Sequence, residues 1–399
     1  MNVLVFNCGS SSLKYRLIAM PDERELSGGE AQRIGPPTAK PSCLVLQRQA
    51  GEKETRVVPM RNHAQALLEV VRELQATPGA MPDVIGHRLV NGGPTITERS
   101  QVDDDVFAEL RRQQDLAPIH NPPAIDTIEA CRTAFPGLPQ VVISDTAFHR
   151  TIPEHARTYA IPRDLSQVLG IRKYGYHGIS HQYVTTEVAR RMGIPLHEFC
   201  GVSCHLGSGG ASLCAVVNGQ SIDNTMGYSP LQGLVMSTRC GDLDPGVALR
   251  LLAEAGGDRT AVEKQLNNRS GVLGLSGNSA DIRDAFEALN ETPDAMRPHN
   301  TTQVYLWRLR KYLGAYLALV GRAQAILFTD TIGETVPEVR EAVCSSLQTF
   351  GVNIDAERNA TPGPLPVDVA TSDSRVRIWV VATNEEISIA RSTYSAVCA

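Results

Sequence analysis

The sequence predicts an α/β protein of two domains, and three observations carry that expectation. Short apolar stretches of strand character alternate with amphipathic helical stretches through most of the chain. A length of 399 residues exceeds what one hydrophobic core ordinarily serves. A strand, a glycine-serine turn and a second strand occur twice, about half a chain apart, which suggests an internal duplication. Two unrelated hairpins would leave the same pattern, so the duplication needs further support.

The first hairpin is "MNVLVFNCGSSSLKYRLIAM", whose second strand alternates Leu13, Tyr15 and Leu17. Helices are then expected at 62–77, 103–115, 122–134, 179–192, 302–323 and 337–350, with Ser180 as N-cap of the fourth. Strands are expected at 83–87, 139–144, 200–205, 325–329 and 376–382. The second hairpin, "FCGVSCHLGSGGASLCAVVNGQSI", turns at 207–212. The stretch 148–165 holds two prolines and no clear period, and reads as the crossing between domains. The closing "NEEISIARSTYSA" reads as a helix that packs back on the first domain.

Composition narrows the function. With 42% hydrophobic residues, 20% charged and a net charge of -5, the chain reads as an ordinary soluble globular protein. Mild acidity without a basic block argues against nucleic-acid and membrane-surface roles. The nine cysteines are scattered, and Cys200 and Cys204 lack a second pair, so reduced thiols are expected and zinc is not. The start "MNVLVFNCGS" lacks the basic region of a secretory signal. The apolar run "YLGAYLALVG", closed by Lys311 and Arg322, falls short of the roughly 20 residues that span a bilayer. A cytoplasmic location is the expectation.

Six segments carry chemistry. In "NCGSSSLK", backbone N–H groups and the hydroxyls of Ser10 and Ser12 can cradle phosphate, with Lys14 as a nearby cation. Asn7, at the strand end, offers an uncharged oxygen to Mg2+ or its water. "VIGHRLVNGG" ends a buried strand at Arg88, suited to a bidentate grip on carboxylate or phosphate. "LAPIHNPP" is a rigid loop presenting His120, and "VVISDTAFH" sets Asp145 at a strand's C-terminal end. "YGYHGISH" puts His177 between glycines, and "DNTMGYSPLQGLVMSTRCGDLDP" surrounds Arg239 with a Gly/Thr/Ser-rich lining. Taken singly, each has a bland alternative: a polar turn, a surface arginine or a structural histidine.

A seventh segment, "AILFTDTIGETVPEVR" (325–340), reads as a buried strand, a turn and a helix with Pro337 in its first turn. Strand-to-helix turns commonly seat nucleotides, because free helix N–H groups attract anions. This turn carries an acid and a β-branched residue where small residues are expected.

Together the ordered motifs resemble the acetate kinase family across nearly the whole chain. They run from "NCGSSSLK" through "HRLVNGG", "LAPIHNPP", "SDTAFH", "YGYHGISH", "MGYSPLQGLVMSTRCGDLDP", "SGVLGLSG" and "IGE..PEVR" to "TNEE". The resemblance implies two duplicated actin-like (ribonuclease H-like) domains with a cleft between them. Residues 1–147 with 385–399 would form the first, and 148–384 the second. It further implies a homodimer and direct in-line phosphoryl transfer between ATP and acetate, with Mg2+ as cofactor and Mn2+ as a substitute.

The resemblance places Asn7 and Glu386 at the metal, Arg88 on the substrate carboxylate, and Asp145, His177 and Arg239 around the transferring phosphoryl. Val90, Ile119, Tyr176 and Pro230, beside His120, match the acetate pocket. His205, Leu206, Gly207, Ser208 and Gly209 match the donor's phosphate loop. Asp281, Ile282 and Arg283, with Thr331, Ile332, Gly333, Glu334 and Thr335, match the adenosine side. An ionised aspartate is a poor proton carrier at neutral pH, so Asp145 orienting an arginine or a metal-bound water fits better than a base.

Departures from the family pattern gather on the donor side. Its "HLGNGAS" is "HLGSGGAS" here, and its "GGIGEN" is "DTIGET". On the acceptor side, Asn91 replaces a histidine and Tyr176 a phenylalanine. Asp330 tolerates left-handed backbone geometry, whereas Thr331 resists it. If both face the adenosine, pyrophosphate becomes an alternative donor; propionate is the alternative acceptor. A non-catalytic sensor would be expected to lose phosphoryl-stabilising groups, and Asn7, Arg88, Asp145, His177, Arg239 and Glu386 are all present.

Overall fold

Residues 1–9, 11–35, 40–47, 52–96, 99–118, 120–292 and 295–398 are described by a computed structural model. Ser10 and Ile119 lie outside the described residues. The chain forms two compact units, Met1–Ala147 with Asn384–Ala399, and Phe148–Thr383.

In the first unit, the apolar run after Met1 becomes β1 (Asn2–Cys8), buried from Val3 to Cys8. It pairs antiparallel with β2 (Ser12–Ala19), Cys8 facing Leu13. β3 (Arg24–Gln32), β4 (Cys43–Gln47) and β5 (Lys53–Val57) continue the antiparallel ladder outward. These three had no expected counterpart. "RELSGGEAQ" is polar and mostly half-buried and "KETRV" is polar and largely exposed, so backbone pairing to a neighbour, and not an apolar pattern, makes them strands. On the other side β1 pairs in parallel with β6 (Val84–Leu89), and β6 with β8 (Gln140–Ser144). β7 (Ser100–Gln101) closes that edge antiparallel to β8.

Helix His63–Ala76 buries Ala66, Leu67, Val70, Val71 and Leu74, a stripe at helical spacing. Asn62 caps it by accepting from the Gln65 N–H. The closing helix Glu385–Cys398 seats on β6 because Gly86 has no side chain there. A Cβ at that position would come 2.3 Å from Thr393 Oγ1.

In the second unit, β9 (Gly201–Leu206), β10 (Ala211–Val217) and β11 (Gln220–Asn224) form an antiparallel meander. β12 (Ala325–Thr329) and β14 (Arg377–Val380) run parallel to β9, with β13 (Val367–Asp368) on the edge. The order β11-β10-β9-β12-β14 repeats β3-β2-β1-β6-β8 of the first unit, sense for sense. That shared order is the duplication to which the two hairpins pointed.

Some boundaries differ from expectation. The helix expected at 179–192 is Gly178–Arg191, capped by His177 in the left-handed conformation (φ 58°), with Ser180 inside it. Ser180 is no N-cap, because the glycine after His177 lets the helix begin earlier. The helix expected at 302–323 is Met296–Val320, ended by Gly321 at φ 68°. The strand–turn–helix at 325–340 has a six-residue helix, Asp330–Thr335, where a turn was expected, before Pro337–Cys344. No described helix is long and apolar enough to cross a membrane.

Candidate functional site

In the first unit, three parallel strands end together. The register sets Phe6 beside His87 and Leu89 beside Ser144, so Asn7, Arg88 and Asp145 gather at the strands' C-terminal ends. Arg88 donates from Nε to Asp145 Oδ1 (3.2 Å) and from Nη2 to Oδ2 (2.6 Å). Its Nη1 donates to Asn7 Oδ1 at 2.9 Å and lies 3.4 Å from Glu385. Burial works against the guanidinium charge, but Asp145 and Glu385 more than compensate and raise its pKa. One bidentate edge of Arg88 is spent on Asp145, which leaves one N–H on each terminal nitrogen.

Asn7 Nδ2 donates to Glu385 Oε2 (3.0 Å) and Glu386 Oε1 (3.4 Å). Glu385 is a site residue beyond the expected set; it adjoins Glu386 in "TNEE", and nothing in the sequence distinguishes which of the two acids faces Asn7. These residues supply oxygen donors alone, two carboxylates and an amide, which suits a hard cation such as Mg2+. Asn7 Oδ1 spends one lone pair on Arg88 and keeps one for a cation or its water. Among the described residues no three His, Cys, Asp or Glu side chains cluster as a metal cage. Mg2+ needs none, since it completes its shell with water and phosphate.

Lys14 is exposed and stands directly across the ladder from Asn7, on the same sheet face. Ser12 Oγ lies over Gly9, where a Cβ would approach it to 2.6 Å. Val90 is half-buried just beyond β6, and His120 precedes helix Asn121–Ala134.

In the second unit, the loop 207–210 joins β9 to β10, closed by the Gly207 N–H on the Gly210 carbonyl at 3.0 Å. Ser237 donates to the Ser208 carbonyl and ties the loop down. Glycine is needed here for close approach. A Cβ on Gly207 would meet Asp330 Oδ2 at 2.5 Å, while one on Gly210 would sit 3.3 Å from His177 Nε2 and 3.5 Å from Arg239 Nη1. His177 and Arg239 thus converge on the loop. Burial lowers the pKa of Arg239, and its guanidinium has no side-chain hydrogen-bond or ion-pair partner among the described residues. Arg239 is half-buried, and a partly desolvated cation without a side-chain partner among the described residues gains from an anionic ligand.

Asp330 faces the same loop. Thr329 pairs with His205 across β12 and β9, which brings Asp330 beside that histidine. His205 Nε2 lies 3.0 Å from Asp330 Oδ2, and Ser180 Oγ lies 2.9 Å from His205 Nδ1. Asp330 Oδ1 accepts from the Thr331 N–H (2.6 Å) and hydroxyl (3.0 Å). Asp330 takes the left-handed conformation at φ 64°, and Thr331 is spared it. Both departures from glycine therefore serve each other. Partial burial opposes ionisation of Asp330, but the bonds from His205 and Thr331 outweigh it and hold the carboxyl well below the usual range. A depressed folded pKa stabilises above the unfolded value and is lost as pH falls below it. Wild type should therefore lose stability more steeply than Asp330→Asn below about pH 4, as measured by urea unfolding at stepped pH.

Glu334 acts as a staple: Oε1 accepts from the N–H groups of Asp330 (2.8 Å) and Thr383 (3.1 Å). Burial raises its pKa. Arg340, fully buried, clamps the far end of the same short helix through the Gly333 and Glu334 carbonyls and Asn359. Thr335 is exposed, its hydroxyl turned to the Thr331 carbonyl. Asp281 caps helix Ile282–Glu291 and is itself gripped by Arg283. Ile282, Ile332, Val272 and Tyr305 line a narrow pocket with Gly207 and Ser208, while Asp330 and Thr331 do not. The pocket has room for about one water, so a larger ligand must part these walls.

Tyr176 is buried and its hydroxyl donates to the Tyr228 carbonyl at 3.0 Å, while Pro230 is half-buried nearby in sequence. Tyr176→Phe leaves that carbonyl without this donor. It should cost about 1 kcal/mol in thermal unfolding and leave kcat within about twofold.

The Acetokinase family profile matches residues 2–391. The chain is 42% identical to an acetate kinase of Dictyoglomus thermophilum over 403 aligned positions, covering 100% of this chain and 99% of that one. Among solved structures it superposes on an acetate kinase of Porphyromonas gingivalis with a TM-score of 0.91, at 34% identity and 99% coverage of both chains. A propionate kinase of Francisella tularensis gives 0.90 at 33% identity, again covering 99% of each. Two units with one strand order, and matches that span the whole chain, lead to one conclusion: the chain belongs to the acetokinase family.

Proposed function

We propose that the chain is an acetate kinase that transfers a phosphoryl group reversibly between ATP and acetate, giving acetyl phosphate and ADP. One observation carries the chemistry: His177 Nε2 and the Arg239 guanidinium, which has no side-chain partner among the described residues, both face Gly210 of the phosphate loop. Transfer between two anions needs cations and donors placed where charge spreads on the phosphoryl oxygens. Arg239 and His177 supply them in the second unit, and the loop 207–210 and the Asp330–Thr335 helix hold the donor. Arg88 meets the acetate carboxylate with its remaining N–H groups, its plane fixed by Asp145.

No base is required. Acetate attacks as a carboxylate, so no proton moves in the displacement, and Asp145 acts as a positioning residue for Arg88. Asn7 and Glu386, with Glu385 adjacent, are the proposed holders of Mg2+, which would neutralise phosphate charge; Mn2+ is the proposed substitute. Val90, Tyr176 and Pro230 are proposed to border the methyl group. A homodimer in the cytoplasm is the family expectation, and we adopt it.

ATP is the proposed donor, because Asp330 and Thr331 are engaged with His205 and with each other and leave the pocket walls to Ile282 and Ile332. Acetyl phosphate formation assayed with ATP, GTP and pyrophosphate should show turnover with ATP and none with pyrophosphate. Pyrophosphate turnover without ATP turnover would reverse the assignment. Propionate, one methylene longer, should be a weaker acceptor by about 10- to 200-fold in kcat/KM.

A further inference from the structure

Ser212 Oγ stands between two imidazoles, 2.9 Å from His177 Nδ1 and 2.8 Å from His181 Nε2. The other nitrogen of His181, Nδ1, lies 2.8 Å from Ser203 Oγ. The fold dictates this line. His177 and His181 are one helical turn apart, while Ser203 and Ser212 sit on the paired strands β9 and β10. Ser203, His181 and Ser212 are wholly buried, so water does not compete for their bonds.

Each hydroxyl carries one proton, and a neutral imidazole carries one. Burial keeps His181 neutral by pushing its pKa well below the usual value. The protons in Ser203–His181–Ser212–His177 can then point along the line in two senses. In one, Ser203 donates to His181 Nδ1, His181 Nε2–H donates to Ser212, and Ser212 donates to His177 Nδ1. In the other, Ser203 accepts from His181, and its own proton has no acceptor among the described residues. A buried hydroxyl left without an acceptor is disfavoured by about tenfold or more. The first sense therefore prevails.

We propose that Ser203 and His181, acting through Ser212, are positioning residues that hold His177 in the tautomer with its proton on Nε2. That nitrogen faces Gly210 beside Arg239, so His177 meets the phosphoryl oxygen as a donor without first having to gain a proton. The inference rests on the proposed role of His177 in phosphoryl transfer, and its test separates the two. Nothing in the hydrogen-bond line depends on which acid or which phosphoryl donor is bound.

The test uses the full chain with 15N-labelled histidine and long-range proton–nitrogen correlation of the imidazole rings. His177 is assigned among the ten histidines by the peak that vanishes in His177→Gln. Wild type should show His177 protonated on Nε2. Ser203→Ala, which removes a single oxygen, should give a mixture of tautomers. Its kcat should fall in step with the Nε2–H population, about two- to fivefold, with KM for both substrates unchanged. Ser203→Thr, which keeps the hydroxyl, should restore both. Protonation of His177 on Nδ1 in wild type, or an unaltered spectrum in Ser203→Ala, overturns the proposal. A shifted tautomer with unchanged kcat leaves the proton line standing and overturns the donor role of His177 instead.

Discussion

Arg239→Ala is expected to lower kcat by about a thousandfold, the scale on which arginines that stabilise transferring phosphoryl groups act. Its stability should not fall with it. Arg239 has no side-chain partner among the described residues, and burial already lowers its pKa. Removing it frees no carboxylate and breaks no internal ion pair. The melting temperature should therefore stay level or rise, the pattern of a residue kept for function at a cost in stability. Arg239→Lys should recover part of the rate, since it keeps the charge without the planar fork. A variant that loses activity and several degrees of Tm together would mark Arg239 as structural. The two measurements needed are steady-state kinetics in the acetyl-phosphate-forming direction and calorimetry of the same preparation.

Asp145→Asn should behave differently. Asp145 is buried and holds Arg88 by a bidentate pair of 2.6 and 3.2 Å. Breaking one partner of a buried ion pair typically costs about 3–5 kcal/mol. Part of that cost should appear as lost stability, and part as a fall of about 100- to 1,000-fold in kcat/KM for acetate. The dependence on Mg2+ concentration should change less than that on acetate, because Asp145 reaches the proposed metal holder Asn7 only through Arg88. A near-normal rate would sink the positioning role. A selective change in Mg2+ dependence would instead put Asp145 on a metal-bound water.

The same contrast separates what the two units contribute. In the first, Arg88, Asp145, Asn7 and the two glutamates hold one another in place, so the charges are paired while Arg88 keeps two N–H groups for a ligand. In the second, Arg239 has no side-chain partner among the described residues and faces Gly210 of the 207–210 loop. A satisfied network fixes geometry, whereas an unsatisfied charge creates affinity for an anion.

Much of this was legible in the chain. The two hairpins foretold a duplication because a glycine-serine turn between apolar strands is a local feature, and the shared strand order bears it out. The motifs placed Asn7, Arg88, Asp145, His177 and Arg239 in order along the sequence. The polar strands β3 and β5 were not legible, because their stability comes from a neighbour's ladder. Glu385 carries no local signal apart from Glu386, and Ser180, at a position that predicts a helix cap, bonds His205 instead.

The turn "FTDTIGET" marks the boundary between the two kinds of information. Sequence by itself determined the strand, the helix start at Pro337 and the loss of two small residues at 330 and 331, since propensity and covalent geometry are local. It left open which way Asp330 and Thr331 face. The parallel register of Thr329 with His205 decided that, by bringing an imidazole within 3.0 Å of the Asp330 carboxylate. Direction is set by partners, and partners distant in sequence meet only when the sheet is assembled. The proton line from Ser203 to His177 has the same origin: four residues on one helix and two strands, each ordinary alone, joined by packing into a single hydrogen-bonded sense.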